Sequence, residues 1–289
     1  MQIGLSLPNS GPLAGQRNLV DIAREAEALG VDSLWVMDHL FNPVELGPWS
    51  QFPGGAYYNQ SEMPYFNALA SIFVVAGATS QVTLGTNVLI AVYRQPVELA
   101  KQLGTLSALV GDRFVLGVGA GWMHEEFEAV GVPPAERFAR LEEAIALMRN
   151  AWREEITSFD GTYYGHVTAG FRPVPGNLPI LIGGSSDGAL RRVARIGDGW
   201  TVGFPPPGEG ARSEAKALLE RLHRACDAES RDPAELQLLT GTTLDAPPSH
   251  FELMAEMGFD TCVVRLTEER DLDLDEFSRF LELVAAPLR

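Results

Sequence analysis

Two hydrophobic periods alternate along the chain. Short apolar runs suited to buried strands occur at 3–7, 33–37, 82–90, 113–118, 179–182, 199–203, 236–243 and 261–266. Between most of them, apolar residues recur three and four positions apart, the spacing of a helix with one buried face. In the first such stretch, 17–29, Leu19, Ile22, Ala26 and Leu29 form one stripe, and Gly30 follows where a helix would end. Further helices are expected over 66–78, 96–109, 134–152, 187–196, 213–228, 251–257 and 274–285. Pro96 fits the first turn of its helix. Phe138, Leu141, Ile145, Met148 and Trp152 give 134–152 a buried face. Eight strands, most followed by a helix, predict an α/β protein with a parallel sheet closed into a (β/α)8 TIM barrel, spanning 1–289 as a single domain.

Two segments interrupt the alternation. The stretch 42–65 follows the second strand, so it belongs to the C-terminal face of the barrel, where barrel enzymes carry their sites. It holds Trp49, Phe52, Tyr57, Tyr58 and Tyr65 among Gly and Pro, which suits a lid over a site or a surface packed on a partner subunit. The stretch 158–175 reads as a small hairpin outside the main sheet, turning at Asp160-Gly161 between Phe159 and Tyr163.

Composition narrows the function. The 289 residues carry a formal net charge of −16 with acidic residues spread along the chain, and no basic stripe of the kind a nucleic-acid binder needs is visible. No apolar run approaches the ~18 residues of a membrane span, and residues 1–8 read as a strand rather than a signal peptide. Cys226 and Cys262 fit free thiols in a reducing cytoplasm. The histidines form neither HxH nor HExxH, so no metal site is expected, and no GxSxG turn marks a serine nucleophile.

Candidate chemistry lies at strand ends. Asp38-His39 ends the second strand, where a histidine can hold or move a proton and a neighbouring carboxylate can orient it; a structural pair at the base of the loop is the alternative. Gly117-Val118-Gly119-Ala120-Gly121-Trp122 ends the fourth strand in a tight turn that lets a flat ring approach. Glu125 and Glu126 then begin a helix, as partners of its dipole or as site carboxylates, with Glu125 the stronger site candidate. Gly183-Gly184-Ser185-Ser186 joins a strand to a helix start, where backbone N–H groups suit a phosphate, or simply cap the helix.

As a set these segments resemble the luciferase-like monooxygenase family (the bacterial luciferase superfamily), and within it the branch that uses the deazaflavin coenzyme F420. The resemblance rests on Glu27 to His39, Leu84-Gly85-Thr86-Asn87-Val88-Leu89, Arg94-Gln95-Pro96 with Ala100-Lys101, Gly111 to Trp122, Glu125-Glu126-Phe127, Arg137-Phe138 and Ile182-Gly183-Gly184-Ser185. It covers nearly all the chain to about Gly203. It implies a cofactor lying across the C-terminal mouth of a barrel, F420 or alternatively FMN, bound to a cytoplasmic homodimer. It also implies a bulge with a cis peptide bond, here Asn87-Val88, behind the cofactor ring. His39 takes the place of the family's strand-two histidine. Gly184, Ser185 and Ser186 take that of the phosphate segment, with Thr201 adding a hydroxyl.

In one respect the sequence departs from the family's sugar-phosphate dehydrogenases, which carry a Glu directly after the Gly-x-Gly turn where Trp122 stands here. The resemblance thus implies hydride transfer between F420 and a small apolar or aromatic substrate such as an enone, a ketone or an alcohol. Monooxygenation with reduced FMN and oxygen is the alternative, and a non-enzymatic binding protein or an unrelated barrel lyase are further readings. A basic groove leading from the phosphate segment, using Arg94, Arg172 or Arg191, would favour F420 with its anionic tail.

Overall fold

The computed structural model describes residues 1–11, 13–15, 19–44, 61–265 and 274–285. In chain order its strands are β1 (Gln2–Ser6), β2 (Ser33–Val36), β3 (Thr83–Ile90), β4 (Phe114–Gly119), β5 (Thr157–Asp160), β6 (His166–Ala169), β7 (Ile180–Gly183), β8 (Gly199–Gly203), β9 (Gln237–Thr243) and β10 (Thr261–Arg265). All but β5 and β6 pair in parallel, each with the next along the chain, and β10 closes on β1. The result is the closed (β/α)8 barrel expected from the alternation.

The outer layer consists of α1 (Leu19–Ala28), α2 (Ala68–Ala76), α3 (Pro96–Val110), α4 (His124–Ala129), α5 (Arg137–Arg153), α6 (Asp187–Ile196), α7 (Ala211–Ala228), α8 (Pro248–Glu256) and α9 (Leu274–Phe280). Strands β5 and β6 form the antiparallel hairpin outside the barrel. Its connection runs from Asp160 to His166, so Tyr163 lies in the loop and not in the return strand. A two-residue turn at Asp160-Gly161 does not form, because Glu143 of α5 accepts hydrogen bonds from the Thr162, Tyr163 and Tyr164 amides and holds the wider loop.

Trp35 of β2 points into the barrel and packs with Leu181, Leu239 and Val263. Its flanking strands make room for it. A Cβ at Gly85 of β3 would lie 2.3 Å from the indole ring, and one at Gly4 of β1 would lie 2.7 Å from its Nε1. The indole N–H donates to Ser33 Oγ at 2.8 Å, which satisfies the buried polar atom.

The N-terminal face is tied by one device used three times. Asp32, Asp198 and Asp260 stand just before β2, β8 and β10. Each carboxylate accepts the amide of a residue near the start of the preceding strand: Ile3 at 2.8 Å, Ile180 at 2.8 Å and Leu238 at 2.7 Å. The amide of each Asp donates to the carbonyl of that same residue. The Asp carbonyl in turn accepts from Thr83, Gln237 and Gln2, at the start of the strand beyond. Each Asp therefore clasps three adjacent strands, and the clasp at Asp260 spans the seam where β10 meets β1.

Candidate active site

The C-terminal ends of the strands open on a cavity of about 690 Å³, within the size range of small-molecule and cofactor sites. Its floor is irregular. Pairing of β3 with β4 shifts register between Thr86 and Leu89, and the Asn87–Val88 peptide is cis. The Val88 side chain sits close over two glycines: a Cβ at Gly119 would lie 2.7 Å from it and one at Gly183 3.1 Å. Thr201 donates its hydroxyl to Asn87 Oδ1 at 2.8 Å. The hydroxyl expected at the phosphate thus anchors the bulge, although Thr201 also lines the cavity. Gly121 turns the chain with φ +76°, and a Cβ there would crowd Ile90, Tyr93 and Phe127 at about 3 Å, so only glycine serves. Trp122, next along, lines the cavity.

At one end lie Gly183, Gly184, Ser185 and Ser186, followed by α6. Ser186 caps the helix, its Oγ accepting from the Ala189 amide at 3.2 Å. Ser185 and Ser186 are exposed toward solvent. Arg192 of α6 lines the same end and is nine-tenths buried, its guanidinium 4.3 Å from the centre of the Phe138 ring and 3.8 Å from Glu142. Burial lowers its pKa, and the Glu142 charge opposes that shift. Arg221 donates to the Ser185 carbonyl and pairs with Asp187 at 2.6 Å. Arg191 is exposed beside Arg192 on α6. Arg172 does not line the cavity, and Arg94 has another task.

At the other end stands His39, 5 % exposed. Its Nδ1 lies 2.7 Å from Glu126 Oε2. That carboxylate is fully buried and accepts two further hydrogen bonds, from the Tyr93 hydroxyl at 2.9 Å and from the Leu40 amide. Burial and the Glu126 charge both push the Tyr93 pKa up, which keeps its hydroxyl a proton donor. The rings of Trp122 and Tyr65 meet the imidazole edge-on, with centroids 5.5 and 5.6 Å away.

Asp38, the expected partner of His39, binds elsewhere. Arg94 grips it with two nitrogens, at 2.6 and 2.8 Å, and the Ile90 amide donates to it at 2.9 Å. This pair ties the end of β2 to the end of β3. Glu125, half-buried on α4, does not line the cavity, while its neighbour Glu126 makes the contact with His39. Sequence reasoning ranked Glu126 below Glu125; its apolar neighbours Met123 and Phe127, both buried in the structure, are the one signal that could have found it. Trp49, Phe52, Tyr57 and Tyr58 lie outside the described residues. Among the described residues, no cluster of metal-ligating side chains occurs, and no helix is long and apolar enough to cross a membrane.

The chain is similar to several known proteins. An uncharacterised protein of Mycobacterium tuberculosis is 32 % identical over 230 residues, covering 78 % of each chain. The F420-dependent glucose-6-phosphate dehydrogenase of Kineococcus radiotolerans is 33 % identical over 223 residues, covering 75 % of this chain and 60 % of that protein. Among solved structures, an F420-dependent secondary alcohol dehydrogenase in complex with an F420–acetone adduct superposes with a TM-score of 0.80 at 17 % identity, covering 100 % of this chain and 99 % of that one. A monooxygenase from Streptomyces bottropensis superposes with a TM-score of 0.75 at 18 % identity, covering 99 % and 98 %. At those identities the superpositions speak for the fold alone. The family profile described as luciferase-like monooxygenase matches residues 1–266, and on that match the chain belongs to the luciferase-like monooxygenase family.

Proposed function

We propose that this protein is an F420-dependent oxidoreductase that transfers a hydride between the coenzyme and a small organic substrate. The observation that carries the reading is the build of the cavity: a bulged floor at Asn87–Val88, a helix start at Gly184–Ser186 at one end and His39 at the other. The F420-dependent relatives support it.

The residues present fit the coenzyme. Val88, seated over its two glycines at the bulge, offers an apolar side chain against which a flat ring could lie. The α6 start offers amides to a phosphate, and Arg192 supplies a cation at that end of a protein whose net charge is −16. Bound F420 would supply a carbon that accepts or donates a hydride. The chain would seat the phosphate at Gly183–Ser186, back the ring with Asn87 and Val88, and hold a proton at His39. Met37 and Trp122 line the cavity near His39, and together with Tyr65 they favour an apolar or aromatic substrate.

Equilibrium binding of F420 and FMN, measured side by side on the purified protein, tests the proposal. Tight F420 binding with weak FMN binding is expected. The reverse preference would move the protein to flavin monooxygenation, and binding of neither would overturn both readings. Once a substrate is found, His39→Ala is expected to lower turnover about 10²- to 10⁴-fold while changing coenzyme affinity little. Unchanged turnover would remove His39 from the chemistry.

A further inference from the structure

The position of the hydrogen on the His39 ring can be read from what its Nδ1 meets. Nδ1 faces a carboxylate that is 0 % exposed and fully engaged: Oε1 accepts from the Leu40 amide, and Oε2 from Tyr93 and His39. An ionised carboxylate only accepts hydrogen bonds, so its partner nitrogen must carry the hydrogen. We propose that Glu126, backed by Tyr93, is the positioning residue of this site, fixing His39 in the Nδ1–H form so that Nε2 is the nitrogen that takes a proton from, or returns it to, the substrate.

The chemical role rests on the hydride-transfer reading given above; the assignment of the hydrogen does not. When a carbinol is oxidised to a carbonyl, its C–H electron pair leaves as hydride to the coenzyme. Its O–H bond breaks, and that proton goes to Nε2. The imidazolium so formed lies with Nδ1 2.7 Å from Glu126 Oε2. In the reverse direction the same nitrogen protonates the oxygen as the hydride arrives.

Charged and titratable groups approach His39 from several elements. Glu126 comes from α4, Tyr93 from the turn after β3, Tyr65 from the segment before α2, and Asp38 with Arg94 flanks the end of β2. Of these, Asp38 is already gripped by Arg94, so its charge is offset within its own pair.

The Leu40 amide makes the test sharp. In Glu126→Gln an oxygen must still face that amide, which turns the new NH₂ group toward His39 and Tyr93. The amide then donates to Nδ1, and the hydrogen on the ring must move to Nε2. The experiment uses protein labelled with ¹⁵N-histidine, without coenzyme, in mildly alkaline solution. Long-range ¹H–¹⁵N spectra report which nitrogen is protonated, and the His39 signal is identified by its loss in His39→Asn. Wild type and Tyr93→Phe are expected to show Nδ1–H, and Glu126→Gln to show Nε2–H. Nε2–H or an even mixture in wild type would overturn the proposal, as would an unchanged ring in Glu126→Gln. If Glu126→Gln fails to fold, the wild-type spectrum decides alone. A failure here leaves the coenzyme assignment standing, since no coenzyme is present, and a failure of F420 binding leaves this result untouched.

Discussion

Asp38 and His39 are neighbours in the chain with separate partners, and their separation shows how far residue-level reasoning from sequence reaches. Adjacency suggested that the carboxylate orients the imidazole. The two side chains part just beyond the end of β2: Asp38 meets Arg94 and His39 meets Glu126. Arg94 is 56 residues away in sequence, a distance at which no local pattern speaks. The choice between Glu125 and Glu126 was harder to read, because α4 has only six residues and too few turns to establish a period. His39 and the Gly184–Ser186 helix start stood out from residue type and their place at strand ends, whereas the cis bond at Asn87–Val88 came only through the family resemblance. The commitment of Asp38 to Arg94 has a measurable consequence. Its carboxylate is fully buried and the guanidinium 14 % exposed. In Asp38→Ala the cation is left without its partner, which is expected to cost about 3–5 kcal/mol of stability. Urea unfolding reads that loss; a change below about 1 kcal/mol would mean that Arg94 escapes to solvent.

At the scale of elements, the strand and helix pattern was legible wherever a run was long enough to show its period, and least so in the hairpin. There the width of the loop was set by Glu143 on another element. Glu27 plays a similar part on α1. It accepts the amides of Gln81, Val82 and Ser80, which lead into β3, at 2.7, 3.0 and 2.9 Å. Burial pushes this carboxyl up, but the three amides and the Arg113 charge outweigh burial and hold it below the ordinary 4.5. A carboxyl with a lower pKa folded than unfolded stabilises the fold above its unfolded value, and that contribution disappears as the pH falls through its folded value. Glu27→Gln is therefore expected to unfold at lower urea concentration than wild type at neutral pH. The gap should narrow once the pH falls below the ordinary Glu value and close as the folded carboxyl itself takes up its proton. A gap that stays constant with pH would show that shape, not charge, holds this joint.

For the molecule as a whole, the closed barrel follows from repetition: one βα pattern read along the chain leaves little choice of architecture. Whether 1–289 unfolds as one unit can be asked of its cysteines. Cys226 on α7 and Cys262 on β10 are both fully buried; burial raises both thiols, that of Cys262 to about 12. Because thiolate is the reactive form, neither should react with a thiol reagent in the folded protein. Both are expected to label together at the urea concentration where the barrel's circular dichroism collapses. Earlier labelling of Cys226 alone would mean that the helical layer detaches on its own. The three aspartate clasps bear on what can be altered. They fasten the end of the barrel opposite the cavity along an arc from β7 through the seam of first and last strands to β3, with β4 outside it. None of the three clasps uses a residue of the open rim, so a segment exchanged there leaves these fastenings in place, and the tie to keep is the one the rim itself carries, between Asp38 and Arg94.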